Sequence, residues 1–238
     1  MLLRITNRCH GGCKHCMIDA SSPDGEHMTM ETFERALDFC ERLDVKILLV
    51  SGGEPFENPD VFRMAARLRE VALDRMFMPA FASNGHFALN DETLAAVRET
   101  RIGVQVTCDP RFYGRVVLED RFSGDDQFRY VDRIQAVFPC RRTRENSVAV
   151  TRNTPGCFNI RSATRSMGYQ KGQLLLALQG RICCPSINID GTVVAGETDT
   201  CHPIGTVDST IEEIEEGLRT MRCNRCGLVK NLEPSYLE

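Results

Sequence analysis

The sequence predicts an α/β fold, a partial (β/α)6 barrel followed by a small cysteine-rich C-terminal extension. Two observations predict it. From Leu2 to about residue 160, short apolar runs alternate with stretches of helical periodicity, the pattern of successive parallel βα units. From about Gly172 the pattern gives way to short strands with Gly and Asp-Gly turns, and cysteines gather. The expected domains are therefore 1–171 for the barrel and 172–238 for the extension. A chain of 238 residues accommodates a sizeable core with such an appendage.

Leu2-Leu3-Arg4-Ile5-Thr6 reads as the first strand. Thr29 caps a helix through Leu43, with Met30, Phe33, Leu37 and Cys40 along one face. Cys40 belongs to that face and is expected to be buried. Val45–Val50 is a continuous apolar run, as in a parallel strand covered on both sides. Asn58 and Pro59 open the next helix, whose inner face carries Val61, Ala65, Leu68 and Ala72. Strand follows over Met76–Ala82, helix from Asn90 to about Arg98, and strand over Ile102–Thr107. A helix is expected over Asp125–Phe138, ended by Pro139, with further strands at 148–151 and 158–160. In the extension, Asp190-Gly191 between Ile187-Asn188-Ile189 and Val193-Val194 signals a hairpin. Ser209 or Thr210 caps a last helix with Ile211, Ile214, Leu218 and Met221 inward and its glutamates solvated. A site belongs at the C-terminal ends of the barrel strands.

Net charge is −4 with 26% charged residues, so neither a nucleic-acid partner nor an anionic membrane surface is expected. No apolar run of spanning length and no signal-peptide pattern occurs, and the cytoplasm is the expected location. With a strand at the very start, no separate module is expected ahead of the core. Twelve cysteines would suit disulfides in a small secreted domain, but this chain is long, lacks an export signal and clusters its cysteines. Metal binding in a reducing compartment is the better account.

The densest cluster is Cys9-His10-Gly11-Gly12-Cys13-Lys14-His15-Cys16. Three thiolates at this spacing converge on a small inorganic core from one loop, as both zinc and iron–sulfur sites require. A structural zinc site takes four protein ligands, and no fourth Cys or His completes one here. Three cysteines on a [4Fe–4S] cluster leave one iron open. Ser51-Gly52-Gly53-Glu54-Pro55 follows the second strand. Its glycines permit close backbone approach, and Glu54 supplies an anion for an amine.

Together these segments resemble the radical S-adenosylmethionine (SAM) superfamily, with its CxxxCxΦC loop, Φ being His15 here, and its GGEP turn. Ala82-Ser83-Asn84-Gly85 resembles the family's third-strand T/S-N-G segment, Gln105-Val106-Thr107-Cys108-Asp109 its V-S-L-D segment, and Val150-Thr151-Arg152-Asn153 the fifth-strand end of several relatives. The resemblance runs in order over residues 2–160. It implies a [4Fe–4S] cluster on Cys9, Cys13 and Cys16, with SAM held by Gly52, Gly53, Glu54, Ser83, Asn84, Thr107, Arg152 and His15. It implies reductive cleavage of SAM to a 5′-deoxyadenosyl radical, with an electron from a reductant such as flavodoxin or ferredoxin.

Cys108 departs from the apolar residue usual at its place. Alternation puts it on the face opposite Thr107, where it packs against helices; the competing role is hydrogen-atom donor to a substrate radical. Cys140 and Cys157 have no spacing partner and read as structural or incidental. Cys183 or Cys184 (spacing favours Cys184), Cys201, Cys223 and Cys226 resemble the twitch form of the SPASM extension, which implies an auxiliary [4Fe–4S] cluster; a zinc ribbon from the same thiolates is the alternative. Arg141, Arg142, Arg144, Arg161 and Arg165 read as surface arginines, with an anion-binding role as the alternative.

The expected function is a radical SAM oxidoreductase that oxidises a small metabolite. Two alternatives stand beside it. One is a maturase acting on a ribosomally made peptide. The other is a non-catalytic iron–sulfur or zinc protein, against which the SAM-binding turn argues.

Overall fold

The computed structural model of the protein describes residues 1–20, 24–45, 47–75, 78–134, 185–196 and 202–220. Its frame is one open, mostly parallel sheet of eight strands in the order β5-β4-β3-β2-β1-β6-β7-β8. The first five are β1 (Leu2–Thr6), β2 (Ile47–Gly52), β3 (Met78–Ser83), β4 (Gly103–Thr107) and β5 (Phe128–Val131). All five run parallel, and β6 (Ser186–Ile187) joins parallel to the free edge of β1.

Alternation sorts each strand into two faces. Leu3 and Ile5, Leu48 and Val50, Phe81, and Val104 and Val106 enter the hydrophobic core. Their neighbours Leu2 and Arg4, Leu49 and Ser51, Ala82 and Thr107 line a cavity on the opposite face. The core face is covered by α1 (Met30–Arg42), α2 (Val61–Arg75) and α3 (Asp91–Thr100). Thr29 caps α1 by accepting from Thr32 N, and Asn90 caps α3 by accepting from Thr93 N, as expected from residues that compete well for orphan amides. Asn58 departs from its expected role. Its amide reaches Ile5 O at 2.7 Å and its Oδ1 accepts from Asp60 N at 2.8 Å. The side chain therefore ties β1 to the turn before α2, and the helix starts at Val61.

The expected helix over 125–138 is corrected by β5. Asp125 does not cap a helix; its Oδ1 accepts from Gln127 N at 3.1 Å, closing a turn. Phe128 and Tyr130 then pack on the core while Arg129 and Val131 alternate with them, in register with Val104–Thr107 of β4. The period is two, not 3.6. The β4–β5 connection consequently carries no α-helix, only a short 3-10 turn at Glu119–Arg121. The expected strands at 148–151 and 158–160 lie outside the described residues.

The C-terminal hairpin appears where Asp190-Gly191 places it. β7 (Thr192–Val194) runs antiparallel to β6, and β8 (Pro203–Thr206) antiparallel to β7. Gly191 turns the chain at φ +86°, a conformation that favours glycine. The last helix, α4 (Ile211–Thr220), opens with a capping box: Glu213 N donates to Thr210 Oγ1 at 3.2 Å and Thr210 N to Glu213 Oε2 at 2.8 Å. Among the described residues no helix is long and apolar enough to cross a membrane.

Candidate cluster and cofactor site

The loop of three cysteines is launched from an irregular pairing of β1 with β2. A register shift between Arg4 and Thr6 brings Thr6 opposite Gly52. Past the end of the sheet, Gly53 N donates to Thr6 O at 2.7 Å and Glu54 N to Arg8 O at 2.8 Å. A β-carbon at Gly52 would lie 2.1 Å from Thr6 O, and one at Gly53 2.0 Å from Arg8 O. The close approach that both glycines permit is to the chain leading into Cys9. Their backbone also lines the cavity, so a single feature serves loop placement and ligand access.

Cys9, Cys13 and Cys16 all face this cavity, of about 320 Å³. Gly11 keeps space open between two of them: a β-carbon there would lie 3.2 Å from Cys9 Sγ and 3.3 Å from Cys13 Sγ. Backbone amides already point at sulfur, Gly11 N at Cys9 Sγ and Ala20 N at Cys16 Sγ, each at 3.2 Å. Burial pushes the Cys9 thiol up to about 12; the Gly11 amide pulls it down, and Glu54, Glu57 and Cys16 push it further up. Ligation of a metal by Cys9 therefore requires loss of a proton that burial makes harder to remove. Among the described residues, no group of three His, Cys, Asp or Glu converges closely enough to hold a single metal ion.

Of the other expected site residues, His15, Gly52, Gly53, Ser83, Asn84 and Thr107 line the same cavity. Glu54 does not. It is 2% exposed, and its carboxylate accepts from Ser83 Oγ at 2.8 Å, Asn84 N at 2.8 Å and Phe56 N at 3.3 Å. Burial raises it to about 7, while those three donors favour the charged form. Glu54 thus bolts the end of β2 to the end of β3. Cys108 is fully buried in the core, where its Sγ donates to Asn84 O at 3.0 Å. It does not line the cavity. Arg152, Cys183, Cys184, Cys201, Cys223 and Cys226 lie outside the described residues, as do Cys140, Cys157 and the arginines at 141, 142, 144, 161 and 165.

Two further contributors escaped the sequence reading. The first is the connection after β4, which reaches back over the cysteine loop. Lys14 N donates to Phe112 O at 2.9 Å, and the His15 ring sits 5.1 Å from Phe112 and 5.0 Å from Tyr113. Asp109 anchors this strap. Buried itself, it receives the Arg111 guanidinium and Ile134 N, the latter at 2.8 Å, and the Arg111 pair holds its carboxyl down at about 2. The second is Arg4, a 3% exposed cation on the cavity face of β1 whose guanidinium reaches Asn188 Oδ1 at 2.6 Å and Ser186 Oγ at 3.2 Å. An arginine in the middle of the largely apolar run Leu2-Leu3-Arg4-Ile5 was the available signal.

These residues fit an iron–sulfur cluster with an adjoining cofactor. Three soft donors border one cavity around a glycine cradle. Beside them, His15 Nδ1 is buried with no hydrogen-bond partner in the described residues, an orphan atom that a bound molecule would satisfy.

The family model described as the Radical SAM superfamily matches residues 3–135, more than half of the chain. The chain is 29% identical over 108 residues to the pre-heme d1 synthase of Dinoroseobacter shibae, a match covering 44% of this chain and 26% of that protein. It is 25% identical over 136 residues to the probable GTP 3′,8-cyclase of Methanopyrus kandleri, covering 55% of this chain and 41% of that one. The matches thus span less than half the length of these curated relatives. Among solved structures, BtrN in complex with AdoMet and 2-DOIA superposes with a TM-score of 0.59 at 14% identity, covering 94% of this chain and 85% of that chain. Streptococcus suis SuiB bound to precursor peptide SuiA gives 0.58 at 12% identity, covering 96% and 70%. At such identities the likeness is one of fold.

Proposed function

Because the chain belongs to the radical SAM superfamily, we propose that it is a radical SAM oxidoreductase acting on a small metabolite, with its first cluster on Cys9, Cys13 and Cys16. The observation that carries this reading is the shared cavity: the three thiols, the Gly52-Gly53 backbone and Thr107 all border it. Once bound there, a reduced [4Fe–4S] cluster and SAM supply the hard chemistry, a 5′-deoxyadenosyl radical able to abstract hydrogen from an unactivated carbon.

The chain's own residues bind, orient and exclude water. The Gly52-Gly53 backbone, with no side chain to obstruct it, offers polar groups to the methionine end of SAM. Glu54 acts through Ser83 and Asn84, fixing the rim against which the cofactor lies, and its carboxylate provides negative potential for the amino group. Thr107 brings a hydroxyl from the end of β4 for the ribose. His15, held between Phe112 and Tyr113, presents its orphaned Nδ1. Leu2 and Leu49 supply apolar wall, which limits water around a reactive species. Arg4 lines the wall as a cation.

The oxidative outcome rests on the tail. Cys184 (or Cys183), Cys201, Cys223 and Cys226 form the proposed auxiliary [4Fe–4S] site, which with four protein ligands has no open iron and would take the electron left on the substrate. Anaerobically reconstituted protein given dithionite and SAM should release 5′-deoxyadenosine, and Ala at Cys9, Cys13 and Cys16 together should abolish it. Product from that triple variant sinks the reading. Ala at Cys223 and Cys226 should leave 5′-deoxyadenosine formation partly intact while substrate oxidation stops. Zinc in place of iron in the tail would remove the oxidative part alone.

A further inference from the structure

Asn84 stands at a point where three systems meet, and only one of them is the cofactor pocket. It is 7% exposed. Each of its polar groups has a separate partner. Its backbone N donates to Glu54 Oε2 at 2.8 Å, its backbone O accepts from Cys108 Sγ at 3.0 Å, and its side-chain Oδ1 accepts from His86 N at 2.8 Å. The last contact decides which way the amide faces, because an oxygen held by a backbone N–H cannot exchange places with the NH₂ group. Nδ2 is thereby directed at Cys9 Sγ, 3.7 Å away, a separation within the reach of an N–H···S bond. The same nitrogen would lie 3.0 Å from a β-carbon built on Gly11. Glycine at position 11 is therefore what admits the amide to the sulfur.

We propose that Asn84 is a positioning residue that sets the reduction potential of the first cluster, by donating its side-chain N–H to the Cys9 sulfur. The proposal rests on the placement of a cluster at Cys9, Cys13 and Cys16. Reduction adds one negative charge to a cluster, part of it carried by the thiolate sulfurs. A donor aimed at one of those sulfurs favours the reduced form and raises the potential. The Gly11 amide on the same sulfur comes with the loop, whatever side chains surround it. The Asn84 amide is delivered from the end of β3, 75 residues away in sequence. It exists only if the sheet and its Glu54 bolt are assembled, so cluster potential is coupled to correct closure of the SAM rim.

The test compares wild type with Asn84→Asp and Asn84→Ala in the anaerobically reconstituted full chain, without SAM. Dye-mediated titration followed by EPR reads the midpoint of the first cluster, in a background where Cys223 and Cys226 are replaced by Ala. Asn84→Asp retains the oxygen that meets His86 N but replaces the donor with a second oxygen and adds a negative charge, so the neutral Asn84→Ala is the variant that reads loss of the donor alone and decides the proposal. The proposal expects the reduced form to be disfavoured about ten-fold in both variants, equivalent to about 59 mV lower for a one-electron couple, with Asn84→Asp at least as low as Asn84→Ala. An unchanged midpoint in Asn84→Ala protein that holds wild-type iron overturns it. Should Asn84→Ala lose the cluster, the wild type decides: with asparagine side chains labelled with ¹⁵N, pulsed EPR of the reduced cluster should show a weak nitrogen coupling, and its absence overturns the proposal. A wild-type chain that binds no cluster at Cys9, Cys13 and Cys16 is a different failure, that of the functional reading itself.

Discussion

At the end of β2, Glu54 is buried among neutral donors; at the end of β4, Asp109 is buried against a guanidinium. The two carboxylates perform parallel mechanical tasks. Glu54 joins β2 to β3 through Ser83 and Asn84, and Asp109 holds the strap that covers the cysteine loop. Their electrostatics run opposite ways. Loss of water raises Glu54 to about 7, with only dipoles to offset it, whereas Arg111 lowers Asp109 to about 2. The difference shows how one rim is divided: the β2–β3 side is held by a buried carboxylate with only dipoles to offset its charge, while the β4 side is neutralised internally by a guanidinium.

The largest effect expected on this comparison comes from the backbone that positions Glu54. Gly53→Ala places a methyl group 2.0 Å from Arg8 O, an overlap with backbone that no rotamer change relieves. Destabilisation of about 3 kcal/mol or more is expected, with iron retention after reconstitution falling alongside it. A wild-type urea midpoint would mean that the pairing of residues 6–8 with 52–54 is looser than described.

Next comes pH, where the two carboxylates should act with opposite sign in the metal-free protein. Glu54 moves from 4.5 to about 7 on folding, so between those values the folded chain holds the extra proton and stability falls as pH rises. Asp109 moves from 3.8 to about 2, so the unfolded chain holds the extra proton; its contribution is full above 3.8 and is lost as pH falls toward 2. Each group alone can produce a slope of at most about 1.4 kcal/mol per pH unit. Urea titrations across pH should show Glu54→Gln flattening the near-neutral slope and Asp109→Asn flattening the acid one. The same slope in wild type and Glu54→Gln between pH 5 and 7 would show that water reaches Glu54.

The smallest effect is expected at Arg111→Ala. The Arg111 side chain is 50% exposed, so solvent screens the pair. Asp109 also keeps Ile134 N and the backbone N of residue 111 as donors. A loss of about 0.5–1 kcal/mol is expected near neutral pH, with the acid transition moving up toward 3.8. A loss as large as that of Asp109→Asn would mean that Arg111 alone carries the strap.

Much of this was legible in the chain itself. The caps Thr29, Asn90 and Thr210, the Asp190-Gly191 turn and strands β1 to β4 follow from local rules, because a cap or a two-residue period is decided by neighbours within four positions. The family-bearing segments were legible for the same reason: Cys9, Cys13 and Cys16 lie on one loop, and Gly52-Gly53 on one turn. Alternation alone put Cys108 on the core side of β4 and Thr107 on the other. The error at β5 is equally instructive. Asp125 is a plausible cap, and only pairing with β4 reveals that Phe128–Val131 alternate.

The placement of Glu54 belongs to tertiary structure. Its sequence says carboxylate after two glycines; that both oxygens face Ser83 and Asn84 depends on β3 lying beside β2. The same holds for Arg4 reaching Ser186 and Asn188, for Phe112 receiving Lys14 N, and for the Asn84 amide at Cys9. Each joins residues more than 25 positions apart, and such contacts are written in the sheet order, not in any window of sequence. What the sequence determined was the chemistry available at each strand end. What the fold decided was which of those ends meet, and so which carboxylate has only dipoles to offset its charge, which amide faces sulfur and which loop closes over the cysteines.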